Sequence, residues 1–107
     1  MKYNVMRMLC LFDLPISTDE EKRIYRNFRK ELLRQGFIMI QYSVYMRTCP
    51  SRDYCNRLEK RIQKIAPISG NIRLLVITEK QYTDMKLIVG NRAETEKAIG
   101  SERMSIL

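Results

Sequence analysis

The sequence contains no histidine and no tryptophan, and it has only three cysteines, four glycines and three prolines among 107 residues. Without histidine, Ser-His or Cys-His nucleophilic catalysis and histidine-based proton transfer are excluded. Cys10, Cys49 and Cys55 form no C-x-x-C pair, and no histidine can complete a zinc site with them, so we expect reduced thiols. Any hydrolysis by this chain would therefore need a metal ion.

Long apolar runs and biased segments are missing as well. No stretch approaches the roughly 20 apolar residues that a bilayer-spanning helix needs, and the N-terminus lacks the apolar core of a signal peptide. We therefore expect a cytoplasmic protein. A hydrophobic content of 45% with 30% charged residues is typical of a globular chain. The sequence predicts one domain over residues 1–90 and a mobile C-terminal tail over residues 91–107.

The charge is strongly basic and unevenly placed. The formal net charge is +8, with a pI near 9.7. The tail contributes none of this excess, because its three basic side chains are balanced by three acidic ones, namely Arg92, Lys97 and Arg103 against Glu94, Glu96 and Glu102. A basic domain favours a polyanionic partner, since cations that contact phosphates release bound counterions.

The first two predicted elements are a strand and a long helix. Residues 5–12 are apolar on both alternating faces, which predicts a strand buried on both sides. The next segment offers two S/T-x-x-E capping boxes and a glycine stop, namely Ser17 with Glu20, Thr18 with Glu21, and Gly36. The inward stripe of this helix is Ile24, Tyr25, Phe28 and Leu32.

The remaining segments complete an α+β pattern. Residues 37–47 should be extended, either as one strand or as two with a break near residues 41–43. A second helix is predicted from the N-cap Ser51 to a point before Pro67. A strand at residues 71–78 and a short last strand at residues 86–89 follow. The order is β-α-β(β)-α-β plus a terminal strand, which belongs to the α+β class.

The predicted helices cover one face of the predicted sheet and leave the other face open. Two amphipathic helices can cover only one face of such a sheet. Because strands 5–12 and 72–78 are apolar on both sides, a second copy packed sheet to sheet would bury the other face. Two-fold dimers are the commonest homo-oligomers, so we expect a homodimer.

The apolar run at residues 9–15, LCLFDLP, carries one carboxylate, Asp13, shortly before Pro15. One interpretation is a turn-forming aspartate that accepts backbone hydrogen bonds. The other is a functional carboxylate, because Ser17 and Thr18 already supply the helix cap. A single carboxylate is a poor Mg²⁺ site. Two copies of Asp13 facing each other at a dimer axis could share an ion that orients a phosphate and activates a water.

Three segments carry a family resemblance: RMLCLFDLP at residues 7–15, YRNFRKELLRQGF at 25–37 and MIQYSVYMRTC at 39–49. Together they resemble the small CRISPR-associated endoribonuclease family, the second core subunit of the spacer-acquisition machinery, and in detail its branch from type II systems. The resemblance spans residues 5–90. Its most specific parts are the aspartate that closes the first strand and the run at residues 41–45.

The resemblance implies a ferredoxin-like βαββαβ fold with an extra C-terminal strand. Residues 37–47 would then be two strands, and the last strand near residues 86–89 would extend the sheet of the other protomer in a sheet-to-sheet homodimer. It also implies that Asp13 is the Mg²⁺ ligand and candidate catalytic residue of a metal-dependent nuclease, with the partner's Asp13 as its counterpart.

Two functions are compatible with this resemblance. As a scaffold, the dimer would bridge dimers of the CRISPR-associated integrase, the first core adaptation subunit. It would bind duplex spacer DNA through phosphate contacts, for which the candidates are Arg7, Lys22, Arg23 and Arg26. As an enzyme, it would cut single-stranded RNA or double-stranded DNA through Asp13 and Mg²⁺. One carboxylate per chain and no evident general base favour the scaffold.

Two other functions share features with this sequence. A stand-alone metal-dependent endoribonuclease of the toxin type would use the same dimer and basic surface, so it stays open as the alternative. An RNA-recognition module has the same order of elements but needs exposed aromatic residues on which bases stack. Residues 71–78 contain no aromatic residue, so we exclude that function.

Overall fold

A computed structural model describes residues 5–90, which form four strands and three helices. In chain order these are β1 (Met6–Asp13), α1 (Asp19–Arg34), β2 (Ile38–Gln41), β3 (Val44–Cys49), α2 (Arg52–Ile65), β4 (Asn71–Thr78) and α3 (Glu79–Thr83). The strands make one antiparallel sheet in the order β2-β3-β1-β4. This is the ferredoxin-like βαββαβ arrangement, as predicted.

Helix α1 begins at a capping box built by the second of the two predicted pairs. The Thr18 hydroxyl accepts the Glu21 N–H at 3.0 Å, and the Glu21 carboxylate accepts the N–H groups of Thr18 and Ser17 at 3.1 and 2.9 Å. Acidic residues fill the first turn, where their negative charges interact favourably with the positive end of the helix dipole. The helix stops at Gly36, whose φ of +93° suits glycine.

The main core lies between the sheet and helices α1 and α2. Alternate residues of β1 point into it, and the helices contribute the facing side chains; the set includes Met8, Cys10, Phe12, Phe28, Leu32, Leu58 and Ile62. Phe12 meets Phe28 edge-on, with ring centroids 5.2 Å apart. This core fixes the central strand β1, so the residue at the end of β1 has a rigid support.

The opposite face of the sheet is only partly covered. Leu9, Met46 and Tyr82 form a small buried cluster there, and Tyr82 comes from α3, a helix that the sequence pattern did not predict. Leu11 and Leu75 on the same face are exposed. The prediction that β1 is buried on both sides therefore holds for Leu9 but not for Leu11 in the single chain.

Residues 37–47 contain two strands, which answers the question left open by the sequence pattern. Tyr42 and Ser43 form the turn between β2 and β3, and Ser43 has a φ of 65°. The register of the two strands shifts between Met39 and Gln41. An irregularity of this kind bends the strand locally.

The predicted short last strand at residues 86–89 has no regular secondary structure in the single chain. Leu87, Ile88 and Val89 are exposed, Val89 to 85%. A strand needs a neighbouring edge with free N–H and C=O groups, and these residues pair with none of β1 to β4. The tail predicted at residues 91–107 lies outside the described residues. None of the helices described in residues 5–90 is long and apolar enough to cross a bilayer.

Candidate nucleic-acid interface

Asp13 is the last residue of the central strand β1, where its Cα pairs with that of Asn71 in β4. The side chain is exposed, whereas the next residue, Leu14, is buried in the core. Within residues 5–90 no hydrogen bond or ion pair involves the Asp13 carboxylate. The turn-forming interpretation needs such a hydrogen bond, so the structure favours a carboxylate left available to a ligand.

An open cleft of about 560 Å³ lies beside Asp13. Its lining comes from the end of β1, the first half of α1 and the β2–β3 turn, namely Asp13, Leu14, Ile16, Lys22, Tyr25, Arg26, Tyr42 and Ser43. The Phe12 N–H donates a hydrogen bond to the Ser43 carbonyl at 3.1 Å, which holds the turn against the end of β1. The two most specific parts of the sequence pattern, the aspartate and the run at residues 41–45, therefore meet in space.

Three of the predicted site residues, Asp13, Lys22 and Arg26, line this cleft. Lys22 and Arg26 are one helical turn apart and exposed, and within residues 5–90 neither forms an ion pair. Cations in this state are suited to phosphate contacts, because no protein carboxylate competes for them.

Arg23, the neighbouring candidate, is outside the cleft lining. Its guanidinium makes a two-point contact with the exposed carboxylate of Glu20. This hydrogen bonding, helped by the positive charge, lowers the pKa of Glu20 below its usual value. Arg23 is therefore partly neutralised by its neighbour.

Arg7, the fourth candidate, lies toward the other end of β1, on the sheet face that points away from α1 and α2. Its guanidinium donates to both Glu79 oxygens, from Nε at 2.9 Å and from Nη2 at 2.6 Å, and lies 4.1 Å from the centre of the Tyr82 ring. The side chain is only 12% exposed. These contacts fasten α3 to the sheet, and they leave Arg7 poorly placed for a phosphate.

Sequence reasoning missed five residues of the cleft, namely Leu14, Ile16, Tyr25, Tyr42 and Ser43. Tyr25 was assigned to the inward stripe of α1, yet it is half-buried and also lines the cleft. Tyr42, 86% exposed, and Ser43 form the opposite wall. Ser43 has a φ of 65°, but residues 40–45 contain no glycine, asparagine or aspartate that would have signalled such a turn.

The described part of one chain does not contain a complete metal site. Within residues 5–90 no group of three or more acidic, cysteine or histidine side chains could hold an ion. Asp13 shares the cleft with two cations, Lys22 and Arg26, which disfavour a bound cation. Residues 5–90 of one chain therefore do not provide the donor set that Mg²⁺ needs, and further oxygen ligands would have to come from elsewhere.

The cysteines contribute no ligand either. All three are free and buried, and burial raises the pKa of Cys10 and of Cys49 to about 12. Thiolates are the form that binds metals and reacts, so these two thiols act as core side chains.

Known proteins with similar sequences were found over nearly the whole chain. The family described as CRISPR associated protein Cas2 matches residues 6–85. A protein named CRISPR-associated endoribonuclease Cas2 from Ligilactobacillus salivarius is 46% identical, and the match covers 95% of this chain and 100% of that protein. A protein of the same name from Streptococcus mutans is 41% identical, and the match covers 95% of this chain and 93% of that protein. A relative of the same name from Campylobacter jejuni is 36% identical, over 94% of this chain and 71% of its own.

A solved structure described as a crystal structure of cas2 has the same fold. It superposes with a TM-score of 0.53, covers 85% of this chain and 92% of its own, and is 19% identical in sequence. The family match over residues 6–85 spans every described element from β1 to α3, and the curated relatives cover the same part of the chain. The chain belongs to the CRISPR-associated Cas2 family.

Proposed function

We propose that this chain acts as a homodimeric subunit of CRISPR spacer acquisition that binds duplex DNA and bridges dimers of the CRISPR-associated integrase. The observation that carries the proposal is the cleft beside Asp13, where Lys22 and Arg26 are exposed without a carboxylate partner in the described chain. Cations that contact phosphates bind DNA without reading its sequence, which suits a protein that must accept any new fragment.

The homodimer is supported by the apolar surface that one chain leaves exposed. Leu11 and Leu75 lie on the open face of the sheet, and Leu75 is 51% exposed. Residues 86–89 are an exposed apolar run, and β4 is an edge strand with unpaired backbone groups. In the proposed dimer the sheets pack face to face, and residues 86–89 of each copy add a strand to the partner's β4.

Nuclease activity is the second candidate function, and it rests on Asp13. The carboxylate is exposed, is held by a rigid strand and accepts no hydrogen bond within residues 5–90. Two such carboxylates meeting in the dimer could hold Mg²⁺, which would supply Lewis-acid chemistry on a phosphodiester. The cut strand would be single-stranded RNA or double-stranded DNA. The curated relatives carry the name endoribonuclease.

The test is spacer integration by a reconstituted mixture of this protein and the integrase. The Lys22→Ala, Arg26→Ala double variant should lose duplex binding and integration, because it removes both unpaired cations of the cleft. The Arg23→Ala, Arg34→Ala double variant is the matched control, since it removes two charges from the same helix, where Glu20 and Glu31 already neutralise them. Equal losses in both would contradict the assignment of the cleft.

Asp13→Asn separates the two functions. If the chain is a scaffold, the variant keeps its dimer, its DNA affinity and its integration. Loss of integration with an intact dimer and normal DNA binding would assign Asp13 to the reaction. RNA cleavage by the dimer alone, without any effect of the integrase, would favour the stand-alone endoribonuclease of the toxin type.

A further inference from the structure

A second basic cluster lies between α2, β3 and the end of α1, away from the cleft. The ring of Tyr54 is surrounded by three guanidinium groups, with Arg47 at 4.7 Å, Arg57 at 5.5 Å and Arg61 at 5.6 Å from its centroid. Tyr54, Arg57 and Arg61 follow one side of α2, and Arg47 comes from β3.

Two of these arginines are fixed in place by neutral acceptors. Arg47 donates to the main-chain carbonyl of Gln35 at 2.6 Å, at the C-terminal end of α1. Arg61 donates to the side-chain oxygen of Gln35 at 3.0 Å and to the Tyr54 hydroxyl at 3.3 Å. The acceptors orient the guanidinium planes, yet they carry no full negative charge.

The positive charge of the cluster is not balanced by the described chain. Within residues 5–90 no carboxylate forms an ion pair with Arg47, Arg57 or Arg61. Cation–π contacts with Tyr54 offset part of the mutual repulsion of three like charges. A bound anion would offset more, and the planar guanidinium group pairs with phosphate through two parallel hydrogen bonds.

We propose that Arg47, Arg57 and Arg61 form a second phosphate-binding site, which takes a phosphodiester group of the nucleic-acid backbone. This assignment rests on the proposed binding of duplex DNA and extends it. Helix α1 is about 24 Å long, and the two sites lie near its opposite ends. One duplex lying along this helix would therefore place different phosphates at the cleft and at the arginine cluster.

Arg57→Ala is the cleanest test, because Arg57 is exposed and contacts the Tyr54 ring, whereas Arg47 and Arg61 also hold the end of α1. Arg52→Ala is the matched control: it removes the same side chain from an exposed position on the same helix, outside the cluster. Binding of a short labelled duplex of arbitrary sequence is measured as a function of salt concentration.

Arg57→Ala should weaken duplex binding several-fold. The plot of the logarithm of the association constant against log salt should become less steep by about 0.9, the value for one lost phosphate contact. Arg52→Ala should leave both quantities close to wild type. Equal affinities and slopes in the two variants would overturn the proposal.

A second measurement does not depend on DNA. The Nε–Hε resonances of the cluster arginines are followed by NMR during titration of the wild-type protein with inorganic pyrophosphate. Saturable shifts at the three arginines, reduced in Arg57→Ala, would support the site even if the wild type failed to bind duplex DNA and the proposed function fell. Absence of shifts would reject the site. Shifts with pyrophosphate but equal DNA binding in the two variants would show a site for free phosphate and overturn the assignment to the backbone.

Discussion

Gly70 packs directly against the main chain of Asp13. A Cβ atom at Gly70 would lie 2.8 Å from the Asp13 carbonyl oxygen and 2.5 Å from Cδ2 of Leu14. The φ of Gly70 is +88°, which a residue with a side chain rarely adopts. The loop before β4 can therefore support the end of β1 only because this position has no side chain.

Gly70→Ala should destabilise the protein by roughly 1–3 kcal/mol through backbone strain and should also displace Asp13. Gly90→Ala is the matched control, because Gly90 has a φ of +108° but no atom within 4 Å of the added Cβ. Urea unfolding measures the free energy of both variants. If Gly70→Ala cost no more than Gly90→Ala, the contact with Asp13 would not support the strand end.

Arg7→Ala should lower the free energy of unfolding by about 1 kcal/mol, because it removes a charge-assisted contact and a cation–π contact on a half-buried surface. Glu79 is 46% exposed, so water compensates part of the loss. Duplex binding should change little. Arg23→Ala, which breaks a fully exposed pair, should leave the unfolding free energy close to wild type. A fall in DNA affinity with unchanged stability would restore Arg7 as a phosphate contact.

Thr18→Ala should cost about 1 kcal/mol of stability, because the Glu21 N–H loses its acceptor at the start of α1. Ser17→Ala should be nearly neutral, since Ser17 donates to the Glu21 carboxylate from its main-chain N–H, which alanine retains. Thermal unfolding followed by circular dichroism compares the two. Equal midpoints would mean that the capping box contributes nothing to the helix.

The buried thiols predict a loss of stability at alkaline pH. The pKa of Cys10 rises to about 12 in the folded protein from its ordinary value of 9.0. The folded state holds the thiol proton more tightly than the unfolded state does, and this difference stabilises the fold. The stabilisation is complete below pH 9.0 and declines as the pH rises toward about 12. Cys49 shifts in the same direction, also to about 12. Urea unfolding across this window should show the decline.

Cys10→Ala provides the comparison. The variant should be less stable at neutral pH because it leaves a cavity, but its stability should fall less steeply above pH 9.0, where the wild type loses the contribution of Cys10. An identical slope in both proteins would show that another group carries the alkaline transition.

Local rules predicted the elements that depend on local chemistry. Thr18 with Glu21 and the stop at Gly36 were readable because caps use neighbouring backbone groups. Helix α3 was missed because its five residues carry too short an apolar pattern. The arginine cluster around Tyr54 was missed because β3 and α2 meet there through tertiary packing, which no sequence spacing records.

For the candidate site, the sequence indicated some of the residues that line the cleft but not all of them. Asp13, Lys22 and Arg26 share the cleft because all three are close to one strand-to-helix connection. Arg7 was predicted to contact phosphate, and the sequence pattern did not show its ion pair with Glu79, because the two residues are distant in sequence. Local sequence can place a charge on an element, but it does not tell whether a remote carboxylate neutralises it.

The sheet order gives the two walls of the cleft unequal mobility. Asp13 ends the central strand β1, which has a neighbour on each side, whereas Tyr42 lies on the hairpin of the edge strand β2, next to the register shift. Amide hydrogens of β1 should therefore exchange with solvent far more slowly than those of the hairpin. The Asp13 carboxylate therefore keeps its position, whereas Tyr42 on the opposite wall can move to fit nucleic-acid backbones of different shape.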